Sequence, residues 1–313
     1  MMLCIKDRIL GGLWGLLIGD ALGVPYEFNK PEDLPEPELI EYQPPPGFVR
    51  SHPGVLPGTW SDDGAQALCL LDSLLSCGRM DVNDFASRLL KWYDCGLWAV
   101  DNKVFDVGNQ TARALIAYSN GKSPCESGNV IPEGKGNGSL MRALPLALWH
   151  KGSDEELAND AHIQSLVTHG HVCNQVCCAL YCLWARRLLE GHSIYEAYNL
   201  AVLRLRQIYG EDSEFYRELE GSIRPDEPLV GKGGGFVVDS LRSVGMVLAS
   251  DNYEQVVKSA IALGDDTDTT AAIAGGLAGV YFGVGNIPAR WCSELRGKEM
   301  VHPLINKLFE YNG

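Results

Sequence analysis

Acidic and hydroxyl side chains are concentrated at one point late in the chain, in the segment GDDTDTTAAIAGG, residues 264–276. Neighbouring residues of a helix point about 100° apart, so the oxygen-bearing side chains of this run cannot share one helical face. They predict a turn that leads into the N-terminus of a helix. In such a turn Asp266 and Asp268 can converge, and Thr269 adds a hydroxyl. The alternative is an N-cap, but a cap needs only one Asp, so the segment offers more oxygen ligands than capping requires.

A second paired-carboxylate turn lies in GTWSDDG, residues 58–64, directly before another apolar helix. If the two turns face each other, Asp62, Asp63, Asp266 and Asp268 bring a formal charge of −4 into one space and repel one another unless cations are bound. Two divalent ions balance that charge, and an all-oxygen donor set favours magnesium, manganese or calcium over zinc or copper. The sequence therefore predicts a binuclear magnesium or manganese site. Its predicted ligands are Ser61, Asp62, Asp63, Asp266, Asp268 and Thr269.

The elements that must position these turns are predicted to be helices. Apolar residues recur at three-to-four spacing over residues 9–22, 65–75, 85–93, 110–118, 139–149, 164–189, 194–209, 239–248, 253–263 and 269–282. Glycine and proline separate these segments, and strand-like alternation is scarce. We therefore expect one all-α domain over residues 1–313. The segment of residues 31–57 holds eight prolines and no periodic apolar face, which predicts a long surface loop of the kind that is often functional.

Composition excludes several other classes of protein. The chain has 313 residues, 46% of them hydrophobic, and its 26 basic and 40 acidic side chains give a net charge of −14. With no basic run to follow a phosphate backbone, we expect no nucleic-acid partner. The ten cysteines show no tight zinc-type spacing, which favours reduced thiols in the cytoplasm over a disulfide framework. Zinc at Cys173, Cys177 and Cys182 beside His169 and His171 is the alternative to a buried, cysteine-rich helix.

The opening of the chain resembles a signal peptide, with charged residues 6–8 ahead of the apolar run ILGGLWGLLI. Asp20 and Glu27 follow closely, however, and no small-residue cleavage site is evident. The apolar stretch of residues 271–285 is shorter than the roughly 20 residues that a membrane span requires. We therefore expect neither export nor a membrane partner, and a cytoplasmic location.

Five motifs in order carry a resemblance to a known family. They are GDALGVPYEF at 19–28, SDDG at 61–64, FDVGNQT at 105–111, GNGSLMR at 136–142 and GDDTDTT at 264–270. Together they resemble the ADP-ribosylglycohydrolase family, including its dinitrogenase reductase-activating branch, over about residues 9–285. The resemblance implies an all-α, orthogonally packed domain with two magnesium or manganese ions at the base of a cleft for ADP-ribose. It also implies hydrolysis of the N-glycosidic bond that joins ADP-ribose to a protein arginine.

The same resemblance implies roles for individual residues. Glu27 and Asp63 would handle the attacking water, and Asp106 would face the leaving guanidinium, a sound bidentate pair. Taken alone, Glu27 is also compatible with a solvated surface charge, and Asp106 with an N-cap for the helix that begins near Gln110. The residues expected to bind ADP-ribose are Gly108, Asn109, Gly134, Lys135, Gly136, Asn137, Gly138, Ser139 and His169.

The predicted diphosphate cradle is the glycine-rich loop of residues 133–139, because glycine lets backbone N–H groups approach a phosphate at a helix N-terminus. A flexible turn is the alternative there, and a structural histidine is the alternative for His169. Four positions depart from the family pattern. Ser61 stands where threonine is usual but keeps the hydroxyl, Gly64 removes a second hydroxyl, Asp265 adds charge, and Lys135 stands where a small or aromatic residue is usual.

The expected partners are an ADP-ribosylated protein as substrate and ADP-ribose as product. Within enzymes, the alternative is a hydrolase of serine-linked ADP-ribose or O-acetyl-ADP-ribose. Outside enzymes, the alternative is a binding or immunity protein that blocks an ADP-ribosyltransferase through the loop of residues 31–57.

Overall fold

The computed structural model describes residues 3–312, and within them the chain is helical, as the periodicity predicts. The first eight α-helices are α1 (Ile5–Gly23), α2 (Asp62–Cys77), α3 (Val82–Cys95), α4 (Asn109–Ser119), α5 (Pro124–Ser127), α6 (Leu144–Trp149), α7 (Asp154–Leu166) and α8 (Val172–Leu189). The others are α9 (Ile194–Tyr209), α10 (Glu214–Glu218), α11 (Val237–Val247), α12 (Tyr253–Ile261), α13 (Thr267–Phe282), α14 (Ala289–Glu294) and α15 (Lys298–Asn312).

Irregular segments of the described chain carry short helical turns and two isolated bridges in place of strands. The 3₁₀ turns are Val24–Tyr26, Pro31–Asp33, Pro37–Leu39, Val100–Asn102 and Val284–Asn286, and a π-turn spans Leu219–Ile223. One bridge joins Asn129 to His169 and the other joins Gly136 to Phe236. The four residues of these bridges lie in connections between helices, so the bridges tie loops together.

Helices α1 and α13 form the centre of the fold, and they run antiparallel at unusually short range. A methyl group added to Gly11, Gly15 or Gly19 would lie 2.1–2.3 Å from a carbonyl oxygen of α13. A methyl group on Gly23 would lie 2.3 Å from the Cα atom of Asp268. The spacing of four residues places these glycines on one face of α1, so the two backbones touch where side chains would otherwise separate them.

Helix α1 is also apolar enough to be compared with a membrane span. Residues 5–26 are long enough to cross a bilayer and contain an 18-residue window with a mean hydropathy of 1.4, but 89% of that window is buried inside the protein. A core helix of a globular protein meets the same criteria, so this observation is weak evidence for a membrane span. The segment packs against α13 as the central core helix.

Two predicted helices differ from the observed ones. The segment of residues 164–189 was predicted to be continuous, but α7 ends at Leu166 and α8 begins at Val172, with His171 as the N-cap that accepts from the Cys173 amide. Between them the Gly170 amide donates to the Asn129 carbonyl at 2.9 Å, a long-range bond that no local pattern reveals. In residues 139–149 only Leu144–Trp149 is α-helical, and Pro145 lies in its first turn.

The loop of residues 31–57 is held by side chains that enter the core. Ile40 and Tyr42 are buried, and the Tyr42 hydroxyl donates to the Trp291 carbonyl at 3.2 Å. Lys258 Nζ donates to the Glu38 carbonyl at 3.1 Å. The loop is therefore anchored between α12 and α14 and returns to the protein surface around His52.

All ten cysteines are unpaired, and five of them are buried in the core. Cys173, Cys177, Cys178 and Cys182 are buried in α8. Among the described residues, the clusters of side chains close enough to hold a metal ion contain no cysteine. The buried-helix interpretation of this cluster therefore fits the structure better than a zinc site.

Candidate metal centre and cleft

The two acidic turns meet at the N-termini of α2 and α13. Ser61 is the N-cap of α2 and accepts from the Asp63 amide, while Asp266 occupies the N-cap position of α13. Thr269 Oγ1 donates to Asp63 Oδ2 across the junction at 3.4 Å. Two helix N-termini thus converge on one set of carboxylates, and each helix dipole favours negative charge there.

Asp20 of α1 belongs to this centre although the sequence analysis gave it no role. It is fully buried, and its carboxylate accepts from the Ser61 amide at 2.8 Å and from the Gly64 amide at 2.7 Å. Asp20, Asp63 and Asp268 each place a carboxylate oxygen within 4.8 Å of the others. A charged residue inside the otherwise apolar run ILGGLWGLLIGDALG was the signal that could have identified it.

A second group of carboxylates adjoins the first. Glu27, Asp266 and Asp268 also bring oxygen atoms within 4.8 Å of one another. Asp268 is common to both groups, so they form one continuous acidic centre. Glu27 is buried at the end of the short turn that follows α1, and is therefore not the solvated surface charge considered as the alternative.

Burial and mutual repulsion disfavour ionisation throughout this centre. Burial raises the pKa of Asp20 to about 7, and burial together with Asp106 raises that of Glu27 to about 10. Burial also raises the pKa values of Asp62, Asp63 and Asp268 well above their usual range. A protein that keeps so many carboxylates together needs protons or cations to balance them.

The donor atoms fit hard divalent cations. Asp63 Oδ1 and Asp268 Oδ2 are buried without a hydrogen-bond partner, which is a costly state for a carboxylate oxygen. Carboxylate and hydroxyl oxygens converge there from Asp20, Ser61, Asp63, Asp268 and Thr269. Such a donor set suits magnesium, manganese or calcium, in agreement with the class of metal expected from the sequence.

A cleft with a volume of about 750 Å³ opens above the acidic centre. Of the residues predicted to act on or bind a substrate or metal, those that line it are Glu27, Asp62, Asp106, Gly108, Asn109, Gly136, Asn137, Gly138, His169, Asp266 and Thr269. Ser61, Asp63 and Asp268 are buried near its base and do not line it. Gly134, Lys135 and Ser139 also lie outside the lining.

The glycine-rich loop is tied to the acidic centre through Asn137. Its Nδ2 donates to Asp266 Oδ2 at 2.8 Å, and its backbone amide donates to the Gly235 carbonyl at 3.1 Å. A methyl group added to Gly138 would lie 2.8 Å from His169 Cε1, so this position requires glycine for close approach. The loop therefore has defined contacts on both sides, unlike the flexible turn considered as the alternative.

Lys135 and Ser139 face away from the cleft. Lys135 Nζ lies 3.6 Å from Glu218 Oε1, and Ser139 Oγ accepts from Ser165 Oγ at 2.9 Å in the interior. Gly134 lies at an adjoining cavity, where its carbonyl accepts from Gln110 Nε2 at 3.0 Å. The structure thus brings only the later half of the loop, residues 136–138, into the cleft wall.

His169 is buried beneath this loop. Its Nδ1 lies 2.7 Å from Thr168 Oγ1, and burial lowers its pKa to about 3. The imidazole is therefore neutral at physiological pH. It forms an uncharged part of the cleft wall and supports the loop at Gly138.

Asp106 also lines the cleft, and it lies close to a histidine that the sequence analysis did not identify. Gly108, and not Asp106, is the N-cap of α4, so the capping alternative for Asp106 does not hold. His52 Nε2 lies 2.6 Å from Glu27 Oε2 and 3.9 Å from Asp106 Oδ1. Burial and Asp266 raise the pKa of Asp106 to about 6. No local motif marks His52, which reaches the cleft from the Pro-rich loop.

Comparison with known proteins agrees with this geometry. The chain is 32% identical over 307 residues to the ADP-ribosylarginine hydrolase Tri1 of Serratia proteamaculans, covering 97% of this chain and 79% of that protein. It is 28% identical to the ADP-ribosyl-[dinitrogen reductase] glycohydrolase of Rhodospirillum rubrum, covering 93% and 91% of the two chains. A solved ADP-ribosylglycohydrolase-related protein complex superposes with a TM-score of 0.77 at 30% identity over 99% of each chain. The ADP-ribosylglycohydrolase pattern matches residues 3–313, and the chain belongs to that family.

Proposed function

We propose that this protein is a hydrolase that removes ADP-ribose from modified arginine side chains of proteins. The observation that carries the proposal is the position of Asp106, whose carboxylate lines the cleft above the acidic centre. A carboxylate binds a guanidinium through two parallel hydrogen bonds, so Asp106 suits an arginine leaving group. Two similar proteins, from Serratia proteamaculans and Pseudomonas putida, carry the name ADP-ribosylarginine hydrolase.

The acidic centre would hold two magnesium or manganese ions through Ser61, Asp62, Asp63, Asp266, Asp268 and Thr269, with Asp20 adjoining them. When bound, such ions neutralise carboxylates, orient ribose hydroxyls and lower the pKa of a coordinated water. Asn137 fixes the carboxylate of Asp266 through its 2.8 Å hydrogen bond. The protein thus supports its metal ligands from the same loop that lines the cleft for the substrate.

The remaining steps belong to side chains of the cleft and of the acidic centre at its base. The bond between ribose C1′ and the arginine nitrogen breaks, its electron pair stays on that nitrogen, and the ribose becomes oxocarbenium-like. Asp106 holds the departing group, while water adds to C1′ and gives up a proton to Glu27 or Asp63, carboxylates that bound cations would keep ionised. That proton then passes to the departing nitrogen, which restores the guanidinium. One water is consumed, and the products are ADP-ribose and unmodified arginine.

The test is release of ADP-ribose from an arginine-modified protein and, in parallel, from a serine-modified one. Each reaction is run with magnesium, with manganese and with EDTA. Asp266→Asn should abolish the metal-dependent release, whereas Asp251→Asn is the matched control, because Asp251 is exposed and does not line the cleft. Release from serine alone would favour the alternative linkage.

A binding protein that blocks an ADP-ribosyltransferase makes a different prediction. Its protective effect would survive EDTA and Asp266→Asn.

We further propose a cytoplasmic location, which the ten unpaired cysteines support because such thiols persist in a reducing compartment.

A further inference from the structure

Phe28 is a large apolar side chain that the fold leaves in solvent at the cleft. Its ring is 71% exposed, and the residue lines the cleft together with Glu27 and Asp106. Burying a phenylalanine side chain stabilises a folded protein by about 1.5–3 kcal/mol. Phe28 gains little of this stabilisation, because its ring stays exposed. Packing in the folded protein therefore does not explain why an aromatic residue stands here.

The backbone at Phe28 is unfavourable for its side chain as well. Its φ is 61°, in the left-handed region, where a bulky residue is an outlier. The conformation is imposed by the Phe28 amide, which donates to the Asp265 carbonyl at 2.7 Å, and by the Asp265 amide, which donates to the Asn29 carbonyl at 2.7 Å. Strain of this kind persists where the surroundings fix it, and it is concentrated at ligand sites.

The surroundings of the ring contain an acceptor for a cation. The Phe28 ring centroid lies 5.8 Å from that of His52, and His52 Nε2 lies 3.9 Å from Asp106 Oδ1. The ring and the Asp106 carboxylate thus border the same part of the cleft. A guanidinium can give its edge to a carboxylate and its flat face to an aromatic ring at the same time.

We propose that the Phe28 ring is the platform on which the arginine side chain of the substrate lies while Asp106 holds its guanidinium edge. The ligand class is a planar cation on an extended alkyl stem. The inference rests on the proposed arginine hydrolysis and extends it by naming a residue that selects the leaving group. A serine-linked substrate presents no such cation and gains nothing from the ring.

The experiment compares Phe28→Tyr, Phe28→Leu and Phe28→Asn with the wild type, all with magnesium. The substrates are free ADP-ribosylarginine, which removes any effect of protein docking, and a serine-linked ADP-ribosyl peptide. Binding of ADP-ribose itself is measured by calorimetry. Val49→Ser is the matched control, because Val49 is 85% exposed in the same region and does not line the cleft.

For ADP-ribosylarginine we expect Phe28→Leu and Phe28→Asn to lower kcat/KM about tenfold, mainly through KM, the size expected of a cation–π contact. Phe28→Tyr keeps the ring and should stay within about twofold of the wild type. Affinity for ADP-ribose should not change. Asn is tolerated in the left-handed backbone conformation, so Phe28→Asn should not destabilise the fold. A lower kcat/KM in this variant therefore reports lost binding and not lost stability.

Two results overturn the inference alone. One is wild-type kcat/KM in Phe28→Leu, and the other is an equal loss of affinity for ADP-ribose, which would place the ring against the ADP-ribose moiety. Wild-type protein that releases no ADP-ribose from arginine overturns the proposed function and this inference with it. The wild-type reaction therefore distinguishes the two failures.

Discussion

His52 Nε2 lies 2.6 Å from Glu27 Oε2, and this contact joins the Pro-rich loop to the acidic side of the cleft. The loop is itself anchored by the buried residues Ile40 and Tyr42. This anchoring restricts the position of His52. Phe105 packs on His52 with ring centroids 5.2 Å apart. The histidine thus acts as a fixed partner that sets the direction of the Glu27 carboxylate.

Replacing His52 tests this positioning role. We expect His52→Ala to lower kcat about tenfold, because the net contribution of a hydrogen bond is about 0.5–1.5 kcal/mol, while affinity for ADP-ribose stays within about twofold. His52→Gln retains a nitrogen donor and should recover most of the rate. The measurement is kcat and KM for ADP-ribosylarginine. A Gln variant as slow as the Ala variant would contradict the role.

Asp20 should control metal affinity without lining the cleft. Asp20→Ala leaves the buried amides of Ser61 and Gly64 without their acceptor. With magnesium bound, we expect this to lower the free energy of unfolding by about 1–3 kcal/mol. We also expect magnesium affinity, measured by calorimetry, to be at least about tenfold weaker. Asp81→Ala is the matched control, because Asp81 caps α3 through the Asn83 and Asp84 amides away from the site. The control should lose stability alone. Equal metal affinity in both variants would exclude this role for Asp20.

The contact between α1 and α13 predicts an unusual response to alanine. Gly→Ala in a helix normally stabilises by about 0.5–1 kcal/mol, but a methyl group at Gly15 would lie 2.3 Å from the Gly275 carbonyl oxygen. Gly15→Ala should therefore lower the free energy of unfolding by about 1–3 kcal/mol in urea titrations. Gly221→Ala, where no atom lies within 4 Å of the added methyl, should change it little. Equal midpoints would show that the helices separate at no cost.

Stabilisation by magnesium should increase with pH. Burial raises the pKa of Asp20 to about 7, and burial and Asp266 raise that of Asp106 to about 6, against about 3.8 in the unfolded chain. Between these values the folded protein binds more protons than the unfolded chain, so without metal its stability falls as pH rises. Cations compete with those protons. We expect magnesium to raise Tm, relative to EDTA, by more at pH 8 than at pH 5.5. Potassium chloride is the ionic-strength control. An equal rise at both pH values would show that metal binding does not release protons from these carboxylates.

The sequence by itself determined the features that depend on local rules. Helical periodicity predicted α9 over the observed range Ile194–Tyr209, and the acidic pairs at 62 and 63 and at 266 and 268 predicted two turns at helix N-termini. Capping preference and the spacing of side chains on a helix act within a few residues, so a single chain reveals them. The ordered motifs added the family, which the full-length match confirms.

Only the tertiary structure decided which distant residues complete the site. Asp20 on α1 accepts from the amides of residues 61 and 64 at the start of α2, and His52 of the Pro-rich loop reaches Glu27. Lys135, in a loop expected to bind phosphate, pairs with Glu218 from a different part of the chain. These contacts join residues far apart in sequence, and their energies depend on packing and burial that arise only when the helices assemble.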